Sequence, residues 1–250
     1  YSDFGETINP RLALVWAMDY NLTGKLLYGR AFRAPSNGEL YAINNPVLLG
    51  NAELDPETID TLELVFDYRY SYSLGMQLNL FHYKTKDLIE FVSSPQGERI
   101  ARNIGEQTAS GAELEVSWKP IEELKVLANF SYQHSTIKES FGNQQIKDEP
   151  VADAPGQQFY AALQWQFIPK WLLSTQINFV ADRSRPELSS KPEVDDYTIV
   201  DLTLRRRAIA TNWEAALTVT NLFDENAEEP VSADNFSTKA SYPLASRGIF

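Results

Sequence analysis

The chain has 250 residues, of which 34 are acidic and 22 basic, so its formal net charge is −12 at pH 7. This excess of negative charge repels phosphate and argues against a nucleic-acid binder. The chain has no cysteine, which excludes disulfides, thiolate metal sites and cysteine nucleophiles, and its two histidines, His82 and His134, are too few for a histidine-rich metal centre. No stretch approaches the roughly 18 uncharged apolar residues of a membrane-spanning helix. Because 12% of the residues are aromatic, as in membrane β-barrels, the composition leaves both a soluble protein and a membrane barrel open.

Apolar and polar residues alternate with a period of two along the chain, the pattern of strands that have one apolar face. Two predicted strands near the start, at about 11–20 and 25–33, follow it less cleanly than the rest. Eight clear runs come after them, and their opposite faces carry Gln, Asn, Ser, Thr and charges, with Val65 as an exception. The apolar faces are Leu62, Leu64, Phe66, Tyr68 and Tyr70; Leu74, Met76, Leu78 and Leu80; Ala112, Leu114, Val116 and Trp118; Leu124, Val126, Ala128, Phe130 and Tyr132; Phe159, Ala161, Leu163, Trp165 and Phe167; Trp171, Leu173, Ile177 and Phe179; Val200, Leu202 and Leu204; and Trp213, Ala215, Leu217 and Val219.

Each run is about ten residues long, which is the length that a tilted strand needs to cross a bilayer. Strands of soluble sandwiches are nearer five or six residues. The apolar faces of the eight clear runs carry no charge, and a charge there near the bilayer midplane would cost about 2–4 kcal/mol. The polar faces suit a water-filled lumen, although an ordinary solvent-facing sheet shares that feature.

The predicted connections alternate between short and long. The short ones lie near residues 19–24, 70–73, 119–123, 168–170 and 208–212, and the long ones near 34–58, 85–107, 135–156, 182–196 and 223–246. Outer-membrane barrels have short periplasmic turns and longer external loops. A soluble sandwich has no reason to lengthen every second connection.

Aromatic residues collect beside the short connections. Eight lie within a few residues of them: Tyr20, Tyr68, Tyr70, Tyr72, Trp118, Trp165, Trp171 and Trp213. Rings with an apolar body and a polar edge collect at the lipid–water boundary, although they also cap soluble cores. Together with the alternation and the connections, they predict an all-β fold, an antiparallel transmembrane β-barrel.

Four segments of this chain resemble the TonB-dependent outer-membrane receptors. They are YGRAFRAPS at 28–36, continuing to ELY at 39–41; GNAELDPET at 50–58; NIG at 103–105, followed by GAELE at 111–115; and VTNLFD at 219–224. Each segment alone is a weak signal, but all four occur in the order that the family has. The likeness covers essentially the whole chain and only about half of such a receptor.

The resemblance implies an N-terminal plug inside a barrel of about 22 strands, driven by the energy-coupling protein TonB. Residues 1–250 then represent the C-terminal part of the barrel, with ten strands and the start of an eleventh at 247–250. The plug and the N-terminal strands are expected to be absent from this chain. Because its first residue is Tyr1 rather than Met, the chain is expected to be a processed or excised piece.

By resemblance, the whole protein lies in the bacterial outer membrane and imports a scarce nutrient, most often a ferric siderophore, into the periplasm. The implied partners are outer-membrane lipid and lipopolysaccharide, TonB through the absent plug, and the extracellular nutrient; no cofactor and no nucleic acid are expected. The alternatives are a passive porin or adhesin-type barrel and, from a third class, an outer-membrane hydrolase.

Catalysis has little support in the sequence. A Ser–His pair could serve acyl transfer, but Ser135 and the adjacent His134 point to opposite faces of a strand. Neither His134 nor His82 has a nucleophile and an orienting acid at a recognisable spacing. Both histidines are expected to be polar lumen or loop residues, no catalytic residue is identified, and the chain is predicted not to be an enzyme.

Metal and ligand sites are similarly unsupported. Carboxylates could bind calcium, but the acidic residues of two loops are expected to form a solvated acidic exterior. They are Glu53, Asp55, Glu57 and Asp60 in one loop and Asp224, Glu225, Glu228, Glu229 and Asp234 in the other. Three arginines beside a short turn could anchor phosphates, but they are expected to supply charge to the lumen and the turn: Arg205, Arg206 and Arg207. The long loops contain four aromatic residues, whose presence is explained equally well by loop packing and by contact with a ligand: Tyr41, Phe91, Phe141 and Phe236. No ligand-binding or metal-binding residue is assigned.

Overall fold

A computed structural model of the chain describes residues 6–43, 48–93, 98–141, 144–145, 149–151, 154–185, 192–207, 213–231 and 240–250. In chain order, its elements are β1 (Arg11–Asp19), β2 (Leu22–Arg33), α1 (Asn37–Tyr41), β3 (Leu48–Leu49), β4 (Glu57–Ser71), β5 (Leu74–Ser93), β6 (Arg99–Ile121), β7 (Leu124–Phe141), β8 (Gln144–Gln145), β9 (Glu149–Pro150), β10 (Pro155–Ile168), β11 (Trp171–Arg183), β12 (Tyr197–Arg206), β13 (Ala215–Thr220), β14 (Glu228–Pro230), β15 (Ser241–Pro243) and β16 (Gly248–Ile249). Within the described ranges, none of the helical structure is long and apolar enough to span a membrane.

Eleven strands form one antiparallel sheet whose spatial order follows the chain. That order is β1-β2-β4-β5-β6-β7-β10-β11-β12-β13-β16. The short strands β3, β8 and β9 pair with the ends of β6 and β7, while β14 and β15 form a separate hairpin. The predicted all-β architecture of ten strands and the start of an eleventh is therefore confirmed, as an open part of a barrel.

The register of the sheet places apolar residues opposite one another on one face. Leu64 lies opposite Leu26 and Leu80, and Leu78 lies opposite Leu114 on the next strand. Because side chains alternate with a period of two, a slip by one residue would exchange the two faces. The predicted apolar runs therefore form one continuous surface across the sheet.

Aromatic rings border this apolar surface at the end that carries the short turns. The indole of Trp16 covers Gly24, where an added Cβ would lie 2.4 Å from the ring. The rings of Trp165 and Phe167 contact each other with centroids 5.8 Å apart. These positions agree with the predicted aromatic boundary.

The polar face is the concave face of the sheet. Two cavities of about 710 and 460 Å³ lie against it. The larger one is lined by side chains from β4, β5, β6, β7, β10 and β11, six successive strands. A flat or convex face cannot surround a cavity with so many strands, so the apolar face is the convex one.

Four strands are longer than the sequence pattern predicts. β4, β5, β6 and β7 contain 15, 20, 23 and 18 residues. The predicted long connection at 85–107 is therefore wrong for most of its length, since β5 continues to Ser93 and β6 begins at Arg99. Asp87 has a φ of 59° and lies at a shift of register between β5 and β6. Such a bulge interrupts the alternation, which hides the continuing strand from a period-two pattern.

The other connections largely follow the prediction, except that β7 continues to Phe141, within the predicted long connection at 135–156. Turns at 20–21, 72–73, 122–123 and 169–170 confirm four of the five short connections, and the fifth, 208–212, lies outside the described residues. Among the long ones, 34–58 contains α1 and β3, and 223–246 contains β14 and β15. The end that carries the long connections is termed the rim below.

Candidate functional site

Polar side chains form continuous rows across the concave face. In one row, Asp67 lies opposite Gln77, Gln77 opposite Glu115, and Glu115 opposite Asn129. Directly opposite residues have neighbouring side chains, so this row places carboxylates and amides side by side. The surface is termed the concave wall, and the side chains that line its cavities include Asp67, Arg69, Gln77, Asn79, Glu113, Glu115, Lys125, Asn129, Ser131, Gln158, Tyr160, Gln164, Gln176 and Asn178.

The concave wall contains hydrogen-bond acceptors that lack a donor. The side-chain nitrogen of Asn79 donates to Glu113 at 3.2 Å, while Oδ1 of Asn79 and Oδ1 of Asn129 are buried without a partner. A buried acceptor without a donor costs about 1–3 kcal/mol. Both oxygens lie below the accessible surface of the wall.

At the rim, two of the segments that resemble the receptor family meet. Ser36 and Glu39 form a capping box at the start of α1, in which the Glu39 carboxylate accepts the Ser36 N–H at 2.7 Å. The Arg33 guanidinium donates to Glu57 at 2.6 Å and to Glu39 at 3.1 Å. Burial acts to raise the pKa of Glu39, but the hydrogen bonds from Arg33 and Ser36 outweigh it and hold that pKa below its ordinary value. Arg33 therefore joins the end of β2 to both α1 and β4.

The third resembling segment reaches the same place. The side-chain nitrogen of Asn103 donates to the carbonyls of Asp55 at 2.9 Å and Asp87 at 2.7 Å, and its Oδ1 accepts the Asp55 N–H at 2.9 Å. Glu57 also accepts the N–H of Ile89 at 2.9 Å. These bonds tie the bulge of β5 to the segment that precedes β4.

An apolar cluster lies with these polar contacts. Leu40, Leu54 and Ala101 are buried together, and Ile89 and Phe91 pack against them. Three of the four family segments thus have a structural role, because they hold the rim together. This assembly is termed the rim cluster, and its residues are Arg33, Ser36, Glu39, Leu40, Leu54, Glu57, Ile89, Phe91, Ala101 and Asn103.

Replacing Arg33 with alanine is expected to loosen the rim cluster, because it leaves the half-buried carboxylates of Glu39 and Glu57 without their shared cation. Since the Arg33 side chain is about half exposed, the expected loss is near the low end of the roughly 1–3 kcal/mol range. Hydrogen exchange should become about fivefold faster in segments 36–42 and 87–92. Arg30→Ala, which removes an ion pair outside the cluster, should leave both segments unchanged; equal acceleration by both variants would contradict the assignment.

A second group of rim contacts centres on two buried arginines that the sequence analysis missed. Arg183 donates to the carbonyl of Glu228 at 2.8 Å, and its guanidinium lies 5.0 Å from the ring of Tyr197. Arg185 donates to backbone carbonyls near β14 and β15. At the start of β12, Tyr197 donates to Glu229 at 2.7 Å. The arginines fall in a predicted loop with no periodic pattern to single them out.

The fourth resembling segment is also structural. Asn221 is 2% exposed and has a φ of 48°. Its side chain donates to the carbonyls of Glu225 at 2.8 Å and Ala245 at 3.2 Å and accepts the Glu225 N–H at 2.8 Å, while its backbone N–H donates to Asp201 at 2.8 Å. Asn221 therefore fixes the point where the chain leaves β13 and returns towards β16.

The prediction that both histidines are lumen or loop residues is wrong. His82 lies opposite Leu62 and Ser110, and Ser110 lies opposite His134, so both histidines belong to the convex face. Nδ1 of His82 lies 2.8 Å from Oγ of Ser110, a pair that the sequence analysis missed. Ser135 falls on the opposite face from His134, as alternation requires. Because none of the described hydrogen bonds joins His82 to a carboxylate, the Ser–His–acid arrangement of acyl transfer is not assembled here.

The predicted acidic loops do not form metal sites in the described parts of the chain, where no group of three or more His, Asp or Glu could hold a metal. Glu57 and Asp60 belong to β4 rather than to a loop, and Arg30 holds Asp60 through bonds of 2.8 and 2.9 Å. Asp224 is similarly paired with an arginine near β16. For Glu57 and Asp60 the expectation of a simply solvated acidic exterior is wrong, whereas Glu53, Asp55, Asp224 and Glu225 are exposed as expected. Asp234 lies outside the described residues.

The three arginines beside the turn near 208–212 divide between the two faces. Arg205, on the concave face, lies 3.4 Å from Glu214, in agreement with the expected lumen and turn charge. Arg206 lies opposite Trp171 on the convex face, with its guanidinium 5.5 Å from the indole ring. Arg206 therefore belongs to the aromatic boundary, and Arg207 follows the end of β12.

Of the four loop aromatics, Tyr41 and Phe91 have described side chains, and their surroundings differ. Tyr41 is half exposed at the end of α1, whereas Phe91 packs in the rim cluster. Phe141 ends β7, and Phe236 lies outside the described residues. Ligand-contacting residues stay unassigned.

Comparison with known proteins identifies the family of this sheet. The family model described as TonB dependent receptor-like, beta-barrel matches residues 1–222. The iron-regulated outer membrane virulence protein of Vibrio cholerae is 27% identical over 243 residues, a match that covers 89% of this chain and 36% of that protein. The chain therefore spans about a third of the length of the curated relatives it matches.

Solved structures show the same fold. The ferric-catecholate import receptor Fiu from E. coli K12 is similar with a TM-score of 0.73 and 17% identity, over 96% of this chain and 33% of that one. The ferripyoverdine receptor of the outer membrane of Pseudomonas aeruginosa is similar with a TM-score of 0.74 and 17% identity, over 96% of this chain and 32% of that one. The convex face is apolar, the concave wall is polar, and the family model matches most of this chain. The chain therefore belongs to the TonB-dependent receptor β-barrel family of the bacterial outer membrane.

Proposed function

We propose that this chain is the C-terminal part of a receptor barrel, and that the full-length protein also contains a plug and further strands. In the described sheet, β1 pairs with β2 along one edge. Hydrocarbon does not tolerate a row of unpaired backbone groups, so strands from elsewhere in the protein must continue the sheet. The share of the Vibrio cholerae relative that the chain covers, 36%, supports this division.

The full-length receptor imports a scarce nutrient, most often a ferric siderophore, into the periplasm with energy from TonB through the plug. The observation that carries this proposal is the concave wall, a continuous polar surface on the inside of a lipid-facing sheet. Proteins similar to this chain include an iron-regulated outer-membrane protein, a ferric-catecholate import receptor and a ferripyoverdine receptor, and these similarities support iron as the cargo. The family consists of transport receptors, and catalysis is not part of the proposed function.

A passive porin or adhesin-type barrel is the alternative, because a polar wall alone also suits unassisted passage. The two functions differ in their need for energy. Uptake of a ferric siderophore by the full-length protein would be measured in cells that lack their own siderophore receptors, with and without TonB. We expect iron-limited growth and uptake only when TonB is present. Equal uptake in both strains would contradict energy coupling and favour the porin.

A further inference from the structure

The concave face changes from polar to aromatic towards the rim. On β5, the side chains of Gln77 and Asn79 are followed on the same face by those of Phe81 and Tyr83, because residues two apart on a strand share a face. β5 runs towards the rim in this direction, so both rings lie at the outer end of the lumen. Both residues are partly exposed.

The two rings form one aromatic surface that β6 accommodates. Their planes lie within 11° of parallel, with centroids 6.4 Å apart. Gly111 lies opposite Phe81, and an added Cβ there would be 2.5 Å from the Phe81 ring. Tyr83 lies opposite Ala109, which is 1% exposed, and the Tyr83 hydroxyl accepts a hydrogen bond from Gln107 at 3.3 Å. This surface of Phe81 and Tyr83 is termed the aromatic platform.

A cavity of about 560 Å³ adjoins the aromatic platform on β1, β2 and β4. Glu63 and Thr61 line the cavity and are also the direct neighbours of Phe81 and Tyr83 on β4. The cavity has the size of a small-molecule site. Its lining on the concave face is otherwise largely apolar or small, and includes Ala13, Leu27, Gly29, Ala31 and Ile59.

The aromatic platform and its cavity carry little net charge. In the two rows of the sheet that cross the platform, the described pairings include one carboxylate, Glu63, and one guanidinium, Arg11. The row through Gln77, deeper in the lumen, contains the carboxylates of Asp67 and Glu115. Binding at the platform therefore depends on contact with rings and apolar groups rather than on net charge.

We propose that the aromatic platform is a subsite for planar rings of the cargo, so that the receptor recognises ferric siderophores whose iron-binding groups are aromatic catecholates. A solute that enters from the rim meets the platform before it reaches the polar rows. A ring of the ligand packs on Phe81 and Tyr83, since aromatic pairs attract beyond the area that they bury, and the adjoining cavity accepts other parts of the ligand. This inference rests on the proposed function, because it concerns the cargo of that lumen.

The test compares two iron(III) complexes that bind the purified full-length receptor in detergent, a tris-catecholate, which contains aromatic rings, and a trihydroxamate, which contains none. Their affinities are measured by quenching of the intrinsic tryptophan fluorescence. Phe81→Leu with Tyr83→Leu keeps the surface apolar but removes both rings. We expect this double variant to weaken binding of the tris-catecholate about tenfold and that of the trihydroxamate less than about twofold.

Phe130→Leu with Tyr132→Leu is the matched control. These two residues are also separated by one position on a single strand, β7, but they belong to the convex face, where they lie opposite Leu114 and Ala112. The same change of composition on that face should leave both affinities unchanged.

Four results would overturn the inference. Equal weakening of both complexes by the platform variant would show that the rings support the structure of the lumen rather than contact the cargo. Unchanged affinity of that variant for the tris-catecholate would also contradict the subsite. A receptor that binds only the trihydroxamate would contradict the subsite and leave siderophore import standing, whereas a receptor that binds neither complex would contradict both.

Discussion

Replacing Leu78 with arginine is expected to reduce the amount of folded receptor in the outer membrane severely. Leu78 lies between Phe66 and Leu114 on the convex face. It is in the middle of the apolar belt, the band of apolar side chains that runs across the convex face of the sheet. A lysine or arginine on the lipid face near the bilayer midplane costs about 2–4 kcal/mol. The amount of folded protein is measured from outer-membrane fractions of the full-length receptor, by the faster electrophoretic migration of unheated barrels.

Gln77→Arg is the matched control for Leu78→Arg. Gln77 is the preceding residue on the same strand, but it faces the concave wall between Asp67 and Glu115. An arginine there gains two neighbouring carboxylates instead of entering hydrocarbon, so the yield of folded barrel should stay close to that of the unmodified receptor. Similar losses from both variants would show that the two faces have been assigned incorrectly.

Replacing Asn221 with alanine is expected to have the second largest effect. The variant loses the side-chain bonds to the backbone of Glu225 and Ala245. Residue 221 has a φ of 48°, and alanine lacks the side-chain hydrogen bonds that offset the strain of this left-handed conformation in asparagine. Unsatisfied buried backbone groups and left-handed backbone together should cost about 2–4 kcal/mol. Hydrogen exchange of the full-length receptor should become at least tenfold faster in segments 221–230 and 241–249.

Asn221→Gly separates the two causes of this loss. Glycine also lacks the side-chain bonds, but it accepts positive φ without strain and should recover about 1 kcal/mol relative to alanine. If alanine and glycine leave exchange as slow as asparagine does, Asn221 does not hold the β13–β16 connection.

The strands that cross the membrane are readable from the sequence because lipid imposes a strict alternation on them. Leu62, Leu64 and Phe66 show it plainly, and the register of β4 with β2 and β5 follows from it. The parts of β5 and β6 that extend beyond the apolar belt cannot be predicted from this alternation. Outside the bilayer both faces meet water, and the bulge at Asp87 removes the remaining period.

The rim contacts depend on partners that are distant in sequence. Arg33 and Glu57 are separated by 24 residues, and Asn103 and Asp55 by 48. No local pattern links such pairs, so the acidic residues near 53–60 looked unpaired. The position of His82 was accessible, since it follows Leu78 and Leu80 at intervals of two and hence shares their face. Its polar character suggested a lumen residue, but polar side chains also occupy the convex face above the belt.

The central claim, that the apolar convex face meets lipid and the polar concave wall lines the lumen, is tested most directly on β6. The chain contains no cysteine, so single cysteines can be placed in turn at residues 112–117 of the full-length receptor, with any cysteine elsewhere replaced. Spin labels at these sites would be measured in bilayers for accessibility to oxygen, which concentrates in lipid. We predict maxima at 112, 114 and 116 and minima at 113, 115 and 117. A profile without this period, or one with the opposite phase, would contradict the account.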